Sequence, residues 1–140
     1  EAEKHKEKNR KSRLDGVPKT LPALIRAQRL QQKASYAGFD WYKVEQVWDK
    51  IHEEILELKE AQSNNAKEHI AEEIGDVLFS VVNLARFLDI PAEDALRRTN
   101  KKFTDRFSQV EAELKKRGKM VEDSSLEEMD AIWNEAKQNE

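Results

Sequence analysis

Glu53-Glu54-Ile55-Leu56-Glu57 and Glu72-Glu73-Ile74-Gly75-Asp76 are two acidic turns standing on either side of a polar break, Ser63-Asn64-Asn65-Ala66-Lys67. Inside each turn the acids that matter are three residues apart: Glu54 with Glu57, and Glu73 with Asp76. On a helix such positions are neighbours on one face, about 5–6 Å apart at Cβ. A break this short makes the two flanking helices antiparallel neighbours. Four carboxylates are then expected around one point. That arrangement repels itself unless divalent cations occupy it.

The apolar residues around the acids set the fold class. Val44, Val47, Trp48, Ile51, Ile55 and Leu58 repeat at helical spacing, and Glu54 falls just off one edge of that stripe. Glu57 lies further round and Glu53 beyond it. On the next helix, over about residues 67–88, the predicted inward stripe is Ile70, Ile74, Val77, Val81, Leu84 and Leu88. Glu73 lies at its edge, with Asp76 and Asn83 further round on the same side. Phe79 and Val82 make this helix apolar almost all round, so it is expected to be buried on several sides. With few other helices to cover it, a homodimer is the economical expectation.

Further helices follow from caps and periodicity. Asp15-Gly16-Val17-Pro18 reads as a turn, and a first helix is expected from about Leu21 with Pro22 in its opening turn and a stop at Gly38. Its Arg26, Arg29 and Lys33 form a cationic row, ordinarily a solvated face. Asp40 is the expected N-cap of the second helix. Pro91 opens a fourth helix with the stripe Leu96, Phe103, Phe107, Val110 and Leu114, which ends near Gly118. Lys102 and Arg106 share one flank of it. Ser124-Ser125-Leu126-Glu127-Glu128 offers capping-box chemistry for a last helix carrying Met129, Ile132, Trp133 and Ala136 inward. With 4 Gly and 3 Pro and no strand pattern, the expected fold is all-α: an antiparallel helical bundle of about four to five helices, completed by dimerisation.

Composition limits the function classes. The 140 residues contain no cysteine, which removes disulfides and thiolate metal sites and fits a cytoplasmic location. No apolar run is long enough to cross a membrane, and no signal-peptide pattern opens the chain. It begins with Glu rather than Met, which predicts a fragment of something longer. Residues 1–13 carry Lys4, Lys6, Lys8, Arg10, Lys11 and Arg13 within an overall net charge of −3, so the remainder is acidic. Stable nucleic-acid binding is not expected of an acidic body whose basic tail has no aromatic residue to stack on bases. Residues 1–18 are taken as a basic linker or tail and residues 19–140 as the folded domain.

The acidic pairs have a plain alternative. With 28 Asp and Glu in 140 residues, a Glu-x-x-Glu on a helix is commonly a solvated face. Two such pairs on consecutive antiparallel helices, each beside an apolar stripe, point instead to a metal site. Lys102, Arg106 and Asn83 at comparable stripe edges complete what a metal–phosphate complex needs. All-carboxylate ligation favours Mg²⁺, with Mn²⁺ as a substitute, over Zn²⁺. None of His5, His52 and His69 follows a Glu by three residues, so a bundle di-iron site is disfavoured.

The spacing Glu54-x-x-Glu57, fifteen residues, Glu73-x-x-Asp76 resembles the metal motif of the MazG family of all-α nucleoside triphosphate pyrophosphohydrolases. Gly38-Phe39-Asp40-Trp41, Glu72 to Phe79, and Asn100-Lys101-Lys102-Phe103-x-x-Arg106-Phe107 are similar to further signatures of that family. The likeness covers about residues 20–137 and is greatest to the C-terminal catalytic module of a long, two-module MazG protein. It implies hydrolysis of a nucleoside triphosphate to monophosphate and pyrophosphate, with broad base tolerance suited to cleansing nucleotide pools. It also implies metal ligation by Glu54, Glu57, Glu73 and Asp76, phosphate contacts from Lys102 and Arg106, and closure over the nucleotide by Trp133 and Lys137. Asn83 is matched to sugar or phosphate, with a satisfied buried amide as the plain alternative. The proton acceptor stays open among Glu53, Glu54 and Glu57. A nucleotide-sensing module without turnover and a purely structural helical oligomerisation domain are the competing readings.

Overall fold

A computed structural model describes residues 11–140; Lys4, Lys6, Lys8 and Arg10 of the basic tail lie outside the described residues. The described residues form α1 (Ala23–Tyr36), α2 (Val44–Ser63), α3 (Lys67–Phe87), α4 (Ala92–Lys116), a 3₁₀ turn (Val121–Asp123) and α5 (Leu126–Gln138). No strand occurs among them, as the all-α expectation requires.

The ends of the helices follow from local chemistry. α1, α3 and α4 each stop where a residue takes a left-handed conformation: Gly38 at φ +92°, Asp89 at +60° and Gly118 at +71°. Behind each one the chain bonds back into the last turn, as Phe39 N–H does to Ala34 O (3.0 Å) and Lys119 N–H to Leu114 O (2.9 Å). Gly38 and Gly118 make that conformation without a Cβ penalty. Ser125 caps α5 by accepting the Glu128 N–H at 3.1 Å. The reciprocal half of the expected capping box is replaced, because the Glu128 carboxylate binds Arg117 and Lys119 at 3.0 Å each.

Asp40 does not cap α2. Its carboxylate is taken by Arg86, at 2.6 and 3.2 Å, and by the Trp41 N–H at 2.7 Å. The helix therefore starts later, at Val44, where Gln46 Oε1 accepts the N–H groups of Tyr42 (2.9 Å) and Lys43 (3.1 Å).

The described residues form two compact units, one ending at Glu93 and the other running from Asp94 to Glu140. In the first unit α3 is central, with α2 packed along it antiparallel and α1 against another side. Val47 and Ile51 of α2 and Val82 of α3 are buried. α1 is tied to α3 by Gln31 Nε2, which donates to Phe79 O at 2.9 Å. Gln28 ties it to the following loop, donating to Ile90 O and accepting from Ala92 N–H, each at 2.8 Å.

The expected inward stripe of α3 is corrected by the structure. Ile74, Val81 and Leu88 are exposed, and the buried positions are Glu73, Ser80, Val82 and Arg86. The helix is apolar on nearly every side, so hydropathy could not select a face. Two of the buried polar residues are satisfied, Ser80 Oγ donating to Val77 O at 2.8 Å and Arg86 binding Asp40 and Asn83, whereas Glu73 keeps an unpartnered oxygen. Glu73 and Ser80 project from one side of α3, and Val82 and Arg86 from nearly the opposite side.

In the second unit, Val110 and Leu114 of α4 pack with Ile132 of α5, flanked by Val121, Met129 and Trp133. The earlier part of the α4 stripe is uncovered: Leu96, Phe103 and Phe107 are all exposed. Leu114 is 0% exposed. Truncation to Ala is expected to cost about 2–5 kcal/mol, the range for deleting a buried leucine side chain. Urea unfolding of Leu114→Ala, followed by circular dichroism, measures it.

Candidate metal centre

Glu54 and Glu73 come from facing helices and are both buried, at 6% and 8% exposure. Each is held from its own helix by a group four residues earlier. Lys50 Nζ reaches Glu54 Oε1 at 2.9 Å, and His69 Nε2 lies 3.7 Å from Glu73 Oε1. The other oxygen of each carboxylate, Oε2, is buried and has no hydrogen-bond partner. Glu57, half-buried, joins them: one oxygen from each of Glu54, Glu57 and Glu73 lies within 4.8 Å of the others.

An unsatisfied buried carboxylate oxygen is costly, and two beside each other are more so. The environment of Glu57 records the strain. The neighbouring Glu54 charge, then burial, Glu73 and Glu53 push its carboxyl above the usual carboxylate range. On the other side of the balance, the hydrogen bond to Glu54 raises the Lys50 ammonium, which therefore stays charged. Three carboxylates that each bring an oxygen within 4.8 Å of the others, two of them carrying an unpartnered buried oxygen, fit a divalent hard cation.

The remaining nominated acids are outside this group. Asp76, three residues beyond Glu73, is exposed. Glu53 is exposed beside Lys50 Nζ at 3.4 Å, and Glu72 is exposed with His69 Nδ1 at 3.9 Å. Asn83 is half-buried on α3, and its Oδ1 accepts from Arg86 Nε at 2.8 Å.

In the second unit, the charges of Arg106, Lys102 and Lys137 act on a single carboxylate, that of Glu140, and Trp133 flanks Arg106. Arg106 holds Glu140 with a two-pronged bond, Nε to Oε1 at 2.5 Å and Nη2 to Oε2 at 2.8 Å. Its guanidinium lies 5.6 Å from the Trp133 ring centroid, and Phe103 sits 5.2 Å from the same ring. The Arg106 hydrogen bond, opposed by burial and reinforced by the charges of Arg106, Lys102 and Lys137, leaves Glu140 below the usual carboxylate range. Trp133 thus flanks the α4–α5 core and touches the arginine at once.

Sequence reading passed over four residues of these arrangements. Lys50 and His69 were legible as i, i+4 partners of Glu54 and Glu73, and Arg86 as an i, i+3 partner of Asn83. Glu140 carried no local signal, because its partner is 34 residues away.

Residues 43–111 match the family model described as the MazG nucleotide pyrophosphohydrolase domain. The matched stretch contains Glu54, Glu57, Glu73, Asp76, Asn83, Lys102 and Arg106. The chain is 44% identical over 132 residues to the nucleoside triphosphate pyrophosphohydrolase/pyrophosphatase MazG of Thermotoga maritima, covering 94% of this chain and 51% of that protein. It is 42% identical over 142 residues to a nucleoside triphosphate pyrophosphohydrolase of Escherichia coli K12, covering 99% and 53%. It is 49% identical over 130 residues to the Bacillus subtilis protein YabN, described as uncharacterized, covering 92% and 27%. The chain spans about half the length of the first two of these relatives.

The crowding at Glu57 has a measurable sign. A carboxyl whose folded pKa is raised above its unfolded value destabilises the fold once it is ionised, and the penalty disappears as pH falls through the folded value. Glu57→Gln is therefore expected to raise the melting temperature of the metal-free protein at neutral pH, and to reduce the further rise on adding Mg²⁺. Thermal scans with EDTA and with Mg²⁺, repeated at neutral and acidic pH, measure both effects.

Proposed function

We propose, on the support that the domain match and the relatives give for the MazG family, that this chain hydrolyses nucleoside triphosphates to nucleoside monophosphate and pyrophosphate. The observation that carries the reading is the pair of orphaned, buried oxygens on Glu54 and Glu73. They have no structural use, and burying them costs stability. A hard cation that also binds phosphate oxygens would satisfy both. Mg²⁺ is the ion proposed, with Glu54, Glu57 and Glu73 holding it and the exposed Asp76 completing the set from the next turn of α3.

The reaction cleaves the anhydride between the α and β phosphates. Water supplies the oxygen, pyrophosphate leaves, and one proton must be accepted. Glu53, Glu54 and Glu57 are the candidate acceptors, and the neighbouring Glu54 charge makes the Glu57 carboxylate more basic than an ordinary one. When bound, the cation neutralises phosphate charge and lowers the pKa of a coordinated water. Four carboxylates and a triphosphate together carry about −8, so protein cations are also needed. Lys102 and Arg106 fill that role. The two-pronged hold of Arg106 on the Glu140 carboxylate supports its use on a phosphate, whose oxygens present the same geometry. Trp133 and Lys137 close over the nucleotide in this reading.

The same reading extends to the assembly. Ile74, Leu78, Val81 and Leu88 are exposed and fall within about 80° of one another around α3. That apolar strip, together with the uncovered stripe of Leu96, Phe103 and Phe107 on α4, supports a homodimer. Residues 19–140 are proposed as the catalytic module of a long, two-module MazG protein, joined through residues 1–18. Broad base tolerance fits a site whose nominated residues are metal ligands and phosphate contacts, with a single amide among them. Among the described residues no helix is long and apolar enough to cross a membrane, and a cytoplasmic place beside the nucleotide pool fits the activity.

Incubation with each common NTP and dNTP in Mg²⁺ is expected to release monophosphate and pyrophosphate across several bases, followed by chromatography. Steady orthophosphate without pyrophosphate would sink the reading, and tight binding with no turnover would leave a sensing module. Glu73→Gln and Asp76→Asn are expected to lower activity at least 100-fold while the helical circular-dichroism signal persists. Light scattering on the eluted protein is expected to give twice the chain mass.

A further inference from the structure

Arg86 is the one buried cation among the described residues, at 8% exposure. Its guanidinium is shared between two partners. Nη1 and Nη2 donate to Asp40 Oδ2 and Oδ1 at 3.2 and 2.6 Å, and Nε donates to Asn83 Oδ1 at 2.8 Å. The Phe87 ring flanks the group at 5.8 Å. Asp40 is held in the charged form by this contact. Burial pushes its carboxyl up, but the Arg86 hydrogen bond, the Trp41 N–H and the Arg86 charge outweigh that and leave it below the usual range.

The chemistry of the shared guanidinium settles which way the Asn83 amide faces. An asparagine amide has an acceptor end and a donor end, and either can point either way when nothing selects. Arginine has donors only. The atom facing Nε must therefore be the carbonyl oxygen, and the Asn83 Nδ2 must turn away from Arg86 carrying its two hydrogens. Asn83 lies seven residues past Asp76 on the same side of α3, about 10 Å along the helix axis. That separation is comparable to the reach from the phosphates of a nucleotide to its sugar.

We propose that Arg86, pinned by Asp40, is a positioning residue that fixes Asn83 as an obligate hydrogen-bond donor to an acceptor oxygen of the substrate's sugar. The proposal rests on the nucleotide reading above and adds the part of the chain that senses the nucleoside rather than the phosphates. Asp40 belongs to the Gly38–Tyr42 segment, whose Phe39 and Tyr42 are 84% and 92% exposed. Its bond to Arg86 ties that segment to α3 across 46 residues of sequence. Without the full guanidinium the amide is free to rotate, and an acceptor then faces an acceptor.

The test compares a probe that has a sugar with one that lacks it. ATP hydrolysis gives KM and kcat, and inorganic tripolyphosphate in Mg²⁺ gives an inhibition constant for the phosphate subsite alone. Arg86→Lys keeps the charge but loses the fork and Nε. It is expected to raise KM for ATP about tenfold, equivalent to one lost hydrogen bond of about 1.4 kcal/mol, with kcat and the tripolyphosphate constant within twofold of the parent. Asp40→Asn, at a more exposed position, is expected to fold as the parent does and to move KM in the same direction by a smaller factor. A lowered melting temperature with KM for ATP unchanged in both variants overturns the proposal, as does a parallel loss of tripolyphosphate binding. If the parent protein itself releases no pyrophosphate, the nucleotide reading fails and the proposal falls with it; if the parent is active and only the expected KM effect is missing, the failure belongs to Arg86 alone.

Discussion

The structure depends on one unfavourable juxtaposition. Two carboxylates, Glu54 and Glu73, are buried between α2 and α3, each with an oxygen that nothing satisfies. Ordinary folding would place such residues in water, since a buried charge without partners is among the costliest features a small domain can carry. Here Lys50 and His69 stand beside one oxygen of each acid and leave the other without a partner. The burial of Val47 and Ile51 of α2 must offset this repulsion. Apolar burial thus offsets a repulsion that a cation bound among these acids would relieve.

Much of this was legible in the sequence, and for identifiable reasons. Helix existence followed from the 3.6-residue period and from Gly38, Pro91 and Gly118, whose backbone constraints act locally. The two acidic turns were legible because i, i+3 spacing and a short break together fix their relative placement. The inward face of α3 was not legible. Its apolar residues surround the axis, and Arg86 is buried against Asp40, a partner on another element that hydropathy cannot reveal. Asp40 shows the same limit. Its side chain is a good helix cap by local rules, yet an arginine far along the chain offers two charge-assisted bonds, and the helix start moves to Val44 in response.

The two units solve the problem of charge differently. In the first, negative groups are crowded and partly desolvated. In the second, Arg106, Lys102 and Lys137 surround the single carboxylate of Glu140, while Trp133 gives the arginine an aromatic face. An anion placed there is welcomed by groups already arranged for it, whereas a cation placed beside Glu54 and Glu73 relieves groups arranged at a cost. The first unit thus holds stored repulsion and the second a prearranged attraction.

The bond between Asp40 and Arg86 has a consequence for how the protein reaches its working state. It joins positions separated by nearly the whole of α2 and α3, so it cannot form while those helices are still assembling as a local hairpin. Contacts that span long stretches of chain carry a loop-closure cost and tend to follow the nearby ones. The acids of α2 and α3, by contrast, meet as soon as the hairpin closes. The order of events in folding is thus built into the topology: Glu54, Glu57 and Glu73 assemble from neighbouring helices, and Arg86 gains its second partner beside Asn83 only once the segment before α2 has docked.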